Sequence, residues 1–424
     1  MIFLLVSIFI IALIIRIPIA IALGLSCMGY ILVSDIPLLI VPLKMYSGID
    51  VFVLLSVPGF ILAGNIMNSG GLTEKIIAFC NHLVGHVRGG LAMANIGSSM
   101  LFAGISGTAV ADTASIGSIM IPAMNKEGYK TGFSCAVTAS SSTVGPIIPP
   151  SVPMIIAGTL TGLSVGKLFV AGAVPGFLLG IGLMITAYVI SVKEKYPKLP
   201  KSSFKQISQG FLETFWALLM TLIILFGIIG GIFTPTEASI IAVIYAILVG
   251  MFVYKKLTWK RLPVIIIDSL KTSASLMVLV GFANLFGWIL ITERIPQQIA
   301  AGLLDITQNK ILILLLINLI LIVVGTFMET VAALLILFPI LLKVAVGVGV
   351  DPVQFSVIAV LNLIIGLTTP PVGVCLFVAS SIGKISIGKV STAGMPFLLV
   401  SFLILLLVTY IPEISLFLPS LFYD

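Results

Sequence analysis

The stretch Gly145-Pro146-Ile147-Ile148-Pro149-Pro150 recurs in outline 221 positions later as Gly366-Leu367-Thr368-Thr369-Pro370-Pro371. These blocks hold the only Pro-Pro pairs of the 424-residue chain, and in each a glycine stands four residues before the first proline of the pair. Gly104 and Gly325 keep the same offset. Since half the chain is 212 residues, the offset indicates two copies of one unit. In an apolar chain, interruptions at matching places of two halves are typical of a transporter's binding site.

Composition decides the fold class. Hydrophobic residues make up 59% of the chain, charged residues 9%, and the mean hydropathy is +1.28. A soluble domain has about a quarter of its residues charged, so this chain cannot present a wetted surface all round. Apolar runs long enough, or nearly so, for the ~20-residue helix that crosses a bilayer cover residues 2–15, 17–33, 51–67, 169–192, 217–233, 240–254, 276–291, 311–324 and 397–411. We therefore predict an all-α polytopic membrane protein.

Neither the N-terminus nor the cysteines and histidines change this prediction. The start of the chain lacks a basic region and a small-residue cleavage site, so residues 2–15 are interpreted as the first span, with Arg16 at its end. The four cysteines form no C-x-x-C pair and stand mostly in apolar surroundings, which favours buried helical residues over disulfides or metal ligands. His82 and His86 are the only histidines, too few for a structural zinc site.

The net charge of +7 comes mainly from two basic clusters, residues 193–205 and 255–261. The clusters flank two apolar runs, the first of which crosses the membrane and the second of which crosses back, so both clusters lie on the same side. The positive-inside rule makes that side cytoplasmic. The first cluster is the predicted linker between a first repeat, residues 1–210, and a second, residues 211–424. Each repeat is predicted to hold a helical hairpin region, at about 89–166 and about 311–382. Segments 36–46, 72–84 and 295–304 are too short or too amphipathic to cross and are predicted to lie beside the membrane.

Small and polar residues crowd the predicted breaks, at 102–112 and 140–150 in the first half. Irregular backbone at membrane depth is tolerated only where protein buries it or where it lines a wet cavity. Its carbonyls and hydroxyls can replace the water shell of a small hard cation, and the positive ends of broken helices can face a carboxylate. The structural alternative is that these residues only let helices approach closely. Two matched clusters favour an ion and substrate site.

Three carboxylates lie in apolar or small-residue surroundings, where an ionisable side chain is a functional candidate. Asp112 and Glu329 each follow a glycine-containing break. Glu237 stands three residues after Thr234 with Pro235 between them, the pattern of a helix capping box, so a structural role is at least as well supported. Polar residues at depth that are more typical of interhelical hydrogen bonds are Asn65, Asn95, Asn284 and Asn362.

Enzymatic functions are not supported, and a passive channel is the stronger competitor. Gly104-Ile105-Ser106-Gly107 matches the nucleophile motif of rhomboid-type intramembrane proteases, but no histidine follows Ser106 to act as its base. An aspartyl intramembrane protease needs two embedded aspartates; Asp112 has no convincing partner, since Asp268 lies close to a basic loop. Symmetric repeats and polar breaks also suit a channel. Hairpins with Pro-Pro elbows suit a gated, occluding site better.

The chain resembles the large membrane subunit of tripartite ATP-independent periplasmic (TRAP) transporters, the DctM-like family, over essentially its whole length. The most specific elements are residues 60–64, 104–112, 145–151, 231–238 and 366–373. The resemblance implies an elevator-type secondary transporter of the bacterial inner membrane, built from inverted repeats, with two helical hairpins and a scaffold domain. It also implies sodium coupling, a small four-helix membrane subunit and a soluble periplasmic binding protein that delivers an organic acid. The alternative is a self-sufficient ion-coupled dicarboxylate symporter.

The resemblance also implies two sodium sites. The first would use Ser106 and Thr108 together with Gly145, Ile148 and Pro150, the last three largely through carbonyls. The second would use Gly325, Met328, Gly366, Thr369 and Pro371. Candidates for substrate binding or coupling are Asp112, Glu329, Thr368 and Asn95. The offset of 221 maps Gly145, Ile148 and Pro150 onto members of the second site but maps Ser106 and Thr108 onto Phe327 and Glu329. C4-dicarboxylates, sialic acid, other sugar acids and keto acids all remain open as substrates.

Overall fold

A computed structural model describes residues 2–15, 17–106, 108–295, 297–299, 302, 307 and 309–423, with backbone only at residues 103–106. In the first half its α-helices are α1 Ile2–Ile14, α2 Ile19–Val33, α3 Ile40–Ile49, α4 Ser56–Ser69, α5 Leu72–Val84, α6 Gly90–Ser106, α7 Ala109–Lys126, α8 Thr131–Ser141, α9 Val152–Thr161 and α10 Val165–Lys193. In the second half they are α11 Phe204–Ile229, α12 Pro235–Leu248, α13 Leu262–Thr292, α14 Lys310–Phe327, α15 Thr330–Gly347, α16 Pro352–Gly366, α17 Val374–Gly383, α18 Ile387–Tyr410 and α19 Glu413–Phe422.

The predicted polytopic helical fold is confirmed. Within the described ranges there is no β-strand, and eight helical segments are long and apolar enough to cross a membrane. These are Phe52–Ser69, Val165–Lys193, Phe204–Ile229, Pro235–Val253, Leu262–Thr292, Lys310–Phe327, Thr330–Gly347 and Ile387–Tyr410. The four cysteines are buried and free, in agreement with the sequence.

The internal repeat extends from sequence to helix boundaries. Shifted by 221 residues, α6 to α10 begin within one residue of α14 to α18, and α7 falls on α15 at both ends. The Pro149–Pro150 and Pro370–Pro371 peptide bonds are both cis. The division of the chain at residue 210 stays a prediction, but residue 210 lies inside α11, which begins at Phe204. By helix continuity the break between the halves is the segment 194–203.

The two repeated units interlock. The short helix α9 of the first half packs against α15 and α16 of the second, and α17 packs in the same way against α7 and α8. The long helices repeat the exchange, since α10 packs on α16 and α18 packs on α8. Each half therefore completes the core of the other, and neither could bury its apolar faces alone.

The remaining helices form a second group beside this interlocked one. In it α4 packs on α12, α2 packs on α1 and α13, and α3 lies along α13. The long α13 corresponds under the 221-residue shift to α3, a 3-10 turn at Phe52–Leu55 and α4 together. Helix α5 contacts α6 of the interlocked group and also α11, which packs on α12 of the second group.

Two predicted spans are too short at their N-terminal ends. The span predicted at 276–291 is the end of α13, which begins at Leu262, and the one predicted at 217–233 belongs to α11, which begins at Phe204. Polar residues in the first turns of these helices hide the helical continuation from a search for apolar runs. In α13 the side chains of Asp268 and Lys271 are exposed and pair with each other at 3.2 Å.

The predicted amphipathic segments have different outcomes. The segment 72–84 is α5 with the predicted bounds, and the segment 36–46 contains the start of α3, none of whose residues is buried. Half of the residues of the third, 295–304, lie outside the described residues, as does Arg16.

Candidate functional site

In the second half, the first break separates α14 from α15 by only two residues. Met328 is extended (φ −116°, ψ 147°) and buried. Glu329 follows as the N-cap of α15, and its Oε2 accepts hydrogen bonds from the backbone N–H groups of Val331 at 2.9 Å and Ala332 at 3.3 Å. The chain therefore turns sharply at this point, and the carboxylate is held at the positive end of the following helix.

The second break of this half lies between α16 and α17. Thr368 and Thr369 each donate a hydroxyl hydrogen bond of 2.9 Å to the Ile365 carbonyl, so both side chains are folded back onto the end of α16. The Gly373 N–H donates to the Thr326 carbonyl at 3.2 Å. This hydrogen bond joins the two breaks, which the sequence separates by some forty residues.

Gly325 and Gly366 bring the same two breaks into backbone contact. A Cβ built on Gly366 would lie 2.5 Å from the Gly325 carbonyl carbon and 2.6 Å from its Cα. A Cβ on Gly325 would lie 3.1 Å from the Leu363 carbonyl oxygen. Because real Cβ atoms do not approach other atoms at 2.5 Å, only glycine fits at residue 366. The structure therefore assembles four of the predicted second-site residues, Gly325, Met328, Gly366 and Thr369, while Pro371 is exposed.

The first half repeats this arrangement as far as it is described. Thr108 is the extended N-cap of α7 (φ −136°, ψ 134°), directly after the end of α6. In the Pro-Pro segment, Gly145 and Pro150 are buried and Ile148 is half-buried. At Ser106, as at Gly104, only the backbone is described. The first predicted site is thus described in four of its five members.

A glycine face on α10 supports the first Pro-Pro segment, and the sequence analysis missed it. A Cβ on Gly172 would lie 2.7 Å from the Ile147 carbonyl oxygen, and one on Gly176 would lie 2.6 Å from a side-chain carbon of Ile148. The spacing continues at Gly180. A small residue every fourth position is the known signal for close helix approach in membranes, so the sequence indicates a close approach on this face of α10 but not its partner.

Asp112 is 1% exposed, and neither of its carboxylate oxygens has a hydrogen-bond partner among the described residues. Its polar neighbours are Ser99 and Ser142. Both hydroxyls are directed elsewhere, Ser99 to Ser141 at 3.1 Å and Ser142 to the Thr138 carbonyl at 2.8 Å. An unpaired buried carboxylate is costly, so this side chain needs a cation or a proton to offset its charge.

Asn95 belongs to the same cluster but is already engaged. It is fully buried, donates to Thr138 Oγ1 at 2.7 Å and accepts from Ser141 at 3.5 Å. These bonds join α6 to α8 and match the interhelical role that the sequence suggested for asparagines at depth. Its predicted contribution to substrate binding is untested.

A second buried polar network joins α14, α16 and α18. Asn362 donates to Asn318 Oδ1 at 2.8 Å, Asn318 donates to Thr409 at 3.1 Å, and Gln354 donates to the Thr409 carbonyl at 3.0 Å. The sequence singled out Asn362 but not its partners, since nothing in the chain order reveals which helices meet. These bonds fix the packing of the interlocked group.

Glu237 has the structural role that its spacing predicted. Thr234 and Glu237 form a complete capping box at the start of α12, with Glu237 Oε2 accepting from the Thr234 N–H at 2.8 Å. The Thr234 side chain accepts from the Glu237 N–H at 3.3 Å. Glu237 is exposed, contrary to the apolar surroundings expected from the sequence, and its carboxylate is engaged in helix capping.

The donor types at the breaks suit a hard cation. Backbone carbonyls and hydroxyls are oxygen ligands, which alkali and alkaline-earth ions prefer over the nitrogen and sulfur ligands of transition metals. Within the described part of the chain no group of three or more His, Cys, Asp or Glu side chains could hold a metal.

The family model described as "Tripartite ATP-independent periplasmic transporter, DctM component" matches residues 6–414. The chain belongs to the DctM family. It is thus the large permease component of a TRAP transporter and a multi-pass protein of the bacterial inner membrane, in agreement with the resemblance seen in the sequence. This is a class of transporter rather than of enzyme.

Similar proteins within the family carry different substrate names. The "Sialic acid TRAP transporter large permease protein SiaM" of Vibrio cholerae is 44% identical over 89% of this chain and 89% of its own length. The "C4-dicarboxylate TRAP transporter large permease protein DctM" of Pseudomonas aeruginosa is 40% identical over 89% and 88%. The "Isethionate TRAP transporter permease protein DctMQ" of Oleidesulfovibrio alaskensis is 41% identical over 96% of this chain and 64% of its own length.

The fold is also found in two solved transporter structures of low sequence identity. The Neisseria gonorrhoeae MtrF structure, whose title describes antimetabolite efflux pumps, matches with a TM-score of 0.62 at 13% identity, over 88% of this chain and 83% of that one. The Alcanivorax borkumensis YdaH transporter matches with a TM-score of 0.56 at 16% identity, over 88% and 85%. At such identities the likeness concerns the fold alone.

Proposed function

We propose that this permease component imports an organic acid together with Na⁺ across the inner membrane. The observation that carries the proposal is the meeting of two helix breaks at Gly325 and Gly366, which leaves backbone oxygens and the Thr369 hydroxyl in one buried region. Broken helices at corresponding places of two repeats are the usual construction of an ion and substrate site in secondary transporters.

Na⁺ binding would order the two pairs of breaks. The first ion would be held by Ser106 and Thr108 with carbonyls of Gly145, Ile148 and Pro150. The second would be held at Gly325, Met328, Gly366, Thr369 and Pro371. Asp112 is buried on α7, close to where α6 ends, and its carboxylate has no hydrogen-bond partner within the described ranges, so a cation in the first site would also offset its charge.

The substrate carboxylate would bind between the two break regions. Glu329 already accepts two backbone hydrogen bonds at the N-terminus of α15, so this helix end is occupied by the protein's own carboxylate. Asn95, Asp112, Thr368 and Glu329 remain the candidates for contact with substrate or for coupling. Substrate and ions that stabilise the same ordered state raise each other's affinity by the same factor.

Sodium can supply the driving force without ATP. Each Na⁺ that moves inward through 100 mV contributes about 2.3 kcal/mol, so two ions would contribute roughly 5 kcal/mol. That corresponds to an accumulation on the order of 10³-fold for a neutral solute, and an anionic substrate would cancel part of it. The interlocked helices α6–α10 and α14–α18 would move as the transport domain. They would move against the scaffold, which consists of the helices packed around α4, α12 and α13.

The family description makes this chain one part of a tripartite system. We propose that a small four-helix membrane subunit covers part of the scaffold and that a soluble periplasmic protein delivers the acid. Exposed apolar side chains on α1 and α2, such as Phe3, Ile14 and Leu32, leave a large surface for lipid or for such a subunit. Sialic acid and C4-dicarboxylates are the first substrates to test, because similar permeases are named for them.

Uptake into proteoliposomes that contain this chain and its small partner tests the proposal. An inward Na⁺ gradient would be imposed, and each acid would be offered with and without its binding protein. Uptake that requires both sodium and binding protein is expected. Sodium-driven uptake without the binding protein would identify a self-sufficient symporter, and flux that ignores every ion gradient would identify a passive channel.

A further inference from the structure

A cleft of about 330 Å³ separates the scaffold helices α3 and α13 from α9 and α15 of the interlocked group. Its walls are largely aliphatic, with Leu54, Ile156, Leu160, Val280, Ile336 and Ile340 among them. The lining residues run from Val280 to Ile291 in the second half of α13 and from Leu335 to Lys343 along the middle of α15, and Thr159 and Leu160 end α9. The cleft therefore extends from membrane depth toward the surface at which α9 and α13 end, and it opens between two bodies that the proposed mechanism moves relative to each other.

Two lysines line this apolar cleft, one from each body. Lys44 on α3 places its Nζ 5.4 Å from the ring centre of Trp288, and Lys343 stands near the end of α15. No acidic side chain lines the cleft, and neither lysine forms an ion pair with any residue that the structure describes. Lys343 is exposed and the Lys44 ammonium lies over the Trp288 ring, so the cleft offers two positive charges to an anion.

The end of the cleft at which Trp288 lies is at the height of the lipid phosphates. Trp288 lies within the last turns of α13, and tryptophan and lysine near helix ends are typical of the headgroup region. Helix α13 follows the basic cluster 255–261 and has 31 residues, enough to cross the bilayer completely. The positive-inside rule places that cluster on the cytoplasmic side, so the cleft lies toward the periplasmic side.

We propose that an acidic phospholipid occupies this cleft, with its phosphate between Lys44 and Lys343 and an acyl chain along the aliphatic walls. A small free carboxylate would match the lysines but leave the aliphatic walls in contact with water. A lipid satisfies both parts, since its phosphate would match the lysines and its acyl chain would cover the aliphatic walls. A lipid held there touches scaffold and interlocked group at once, so it would act on their relative position. This site is separate from the helix breaks and does not depend on which solute is carried.

Tryptophan fluorescence tests the proposal without any transport assay. The chain has three tryptophans, and replacing Trp216 and Trp259 with phenylalanine leaves Trp288 as the only reporter. The purified protein would be reconstituted in phosphatidylcholine with increasing brominated phosphatidylglycerol, or with brominated phosphatidylcholine as the zwitterionic probe. We expect half-maximal quenching of Trp288 at an about tenfold lower concentration of the acidic probe than of the zwitterionic probe, because each lysine that faces an acidic lipid adds to its affinity.

Matched variants separate the site from general surface charge. The double variant Lys44→Gln with Lys343→Gln should reduce the preference for the acidic over the zwitterionic probe to a ratio of about one. The double variant Lys126→Gln with Lys271→Gln removes the same charge elsewhere and should leave this preference intact. Gly287→Leu should weaken quenching by both probes, because a Cβ at Gly287 meets nothing within 4 Å and the added side chain can fill the cleft.

Three results would overturn the proposal. They are equal quenching by both probes in the parent protein, an acidic preference that survives loss of both lysines, and removal of the preference by soluble glycerol phosphate. The last result would identify a free-anion site instead of a lipid site. Failure of sodium-driven uptake would leave these outcomes unchanged, so the two proposals fail separately.

Discussion

Gly366 lies against Gly325 so closely that a side chain at residue 366 would overlap the Gly325 backbone, with Cβ 2.5 Å from the carbonyl carbon. The two glycines belong to different helix breaks, and each stands at the end of a helix. Their contact is what turns two separate interruptions into one candidate site.

Gly366→Ala is expected to push the two breaks apart and reduce Na⁺-driven uptake by about tenfold or more, since a misplaced site of this kind loses on the order of 10²-fold activity. Gly347→Ala and Gly388→Ala are the controls, because a Cβ at either residue meets nothing within 4 Å. Uptake and thermal unfolding would be measured together. Normal uptake by Gly366→Ala would show that the close contact is not needed for transport.

Thr369→Val removes a hydroxyl from the second proposed site while keeping the shape of the side chain. We expect the Na⁺ concentration for half-maximal uptake to rise by roughly tenfold, the effect of losing one ligand worth about 1.4 kcal/mol. Thr392→Val is the matched control, since its hydroxyl also donates to a carbonyl within its own helix, at Gly388, but is exposed. An unchanged sodium dependence in Thr369→Val would remove this residue from the site.

Asp112→Asn replaces an unpartnered buried carboxylate with a neutral amide of the same shape. Burying an amide costs less than burying a charge, so the melting temperature should stay the same or rise while ion or substrate affinity falls. Asp268→Asn, at an exposed residue paired with Lys271, is the control. A variant that loses expression and stability but retains its affinities would assign Asp112 a structural role.

Thr234→Ala breaks the capping box of α12 without touching the helix breaks. A loss of about 0.5–2 kcal/mol of stability is expected, because N-cap threonines contribute that much. The sodium and substrate dependence of uptake should not change. Altered sodium affinity in this variant, with intact folding, would mean that the Thr234–Glu237 pair takes part in coupling.

Fold class, family and internal repeat could all be predicted from the amino-acid sequence. An apolar chain has few ways to satisfy its backbone inside a bilayer, so composition and apolar runs lead directly to membrane helices. The Pro-Pro blocks predicted the offset that helices α6–α10 and α14–α18 then follow to within one residue at their starts. Local chemistry was equally readable at Glu237, since a capping box depends only on residues three apart.

Contacts between distant residues could be known only from the three-dimensional fold. It placed Gly325 against Gly366, set α10 against the first Pro-Pro segment, and surrounded Asp112 with serines whose hydroxyls point elsewhere. It also distinguished Glu329, which caps its own helix, from Asp112, which has no hydrogen-bond partner among the described residues, although both looked alike as carboxylates after a break. Chain order records spacing along helices, whereas these contacts depend on how helices from two halves exchange places in the core. That exchange is set by packing over the whole bundle, which no short segment encodes.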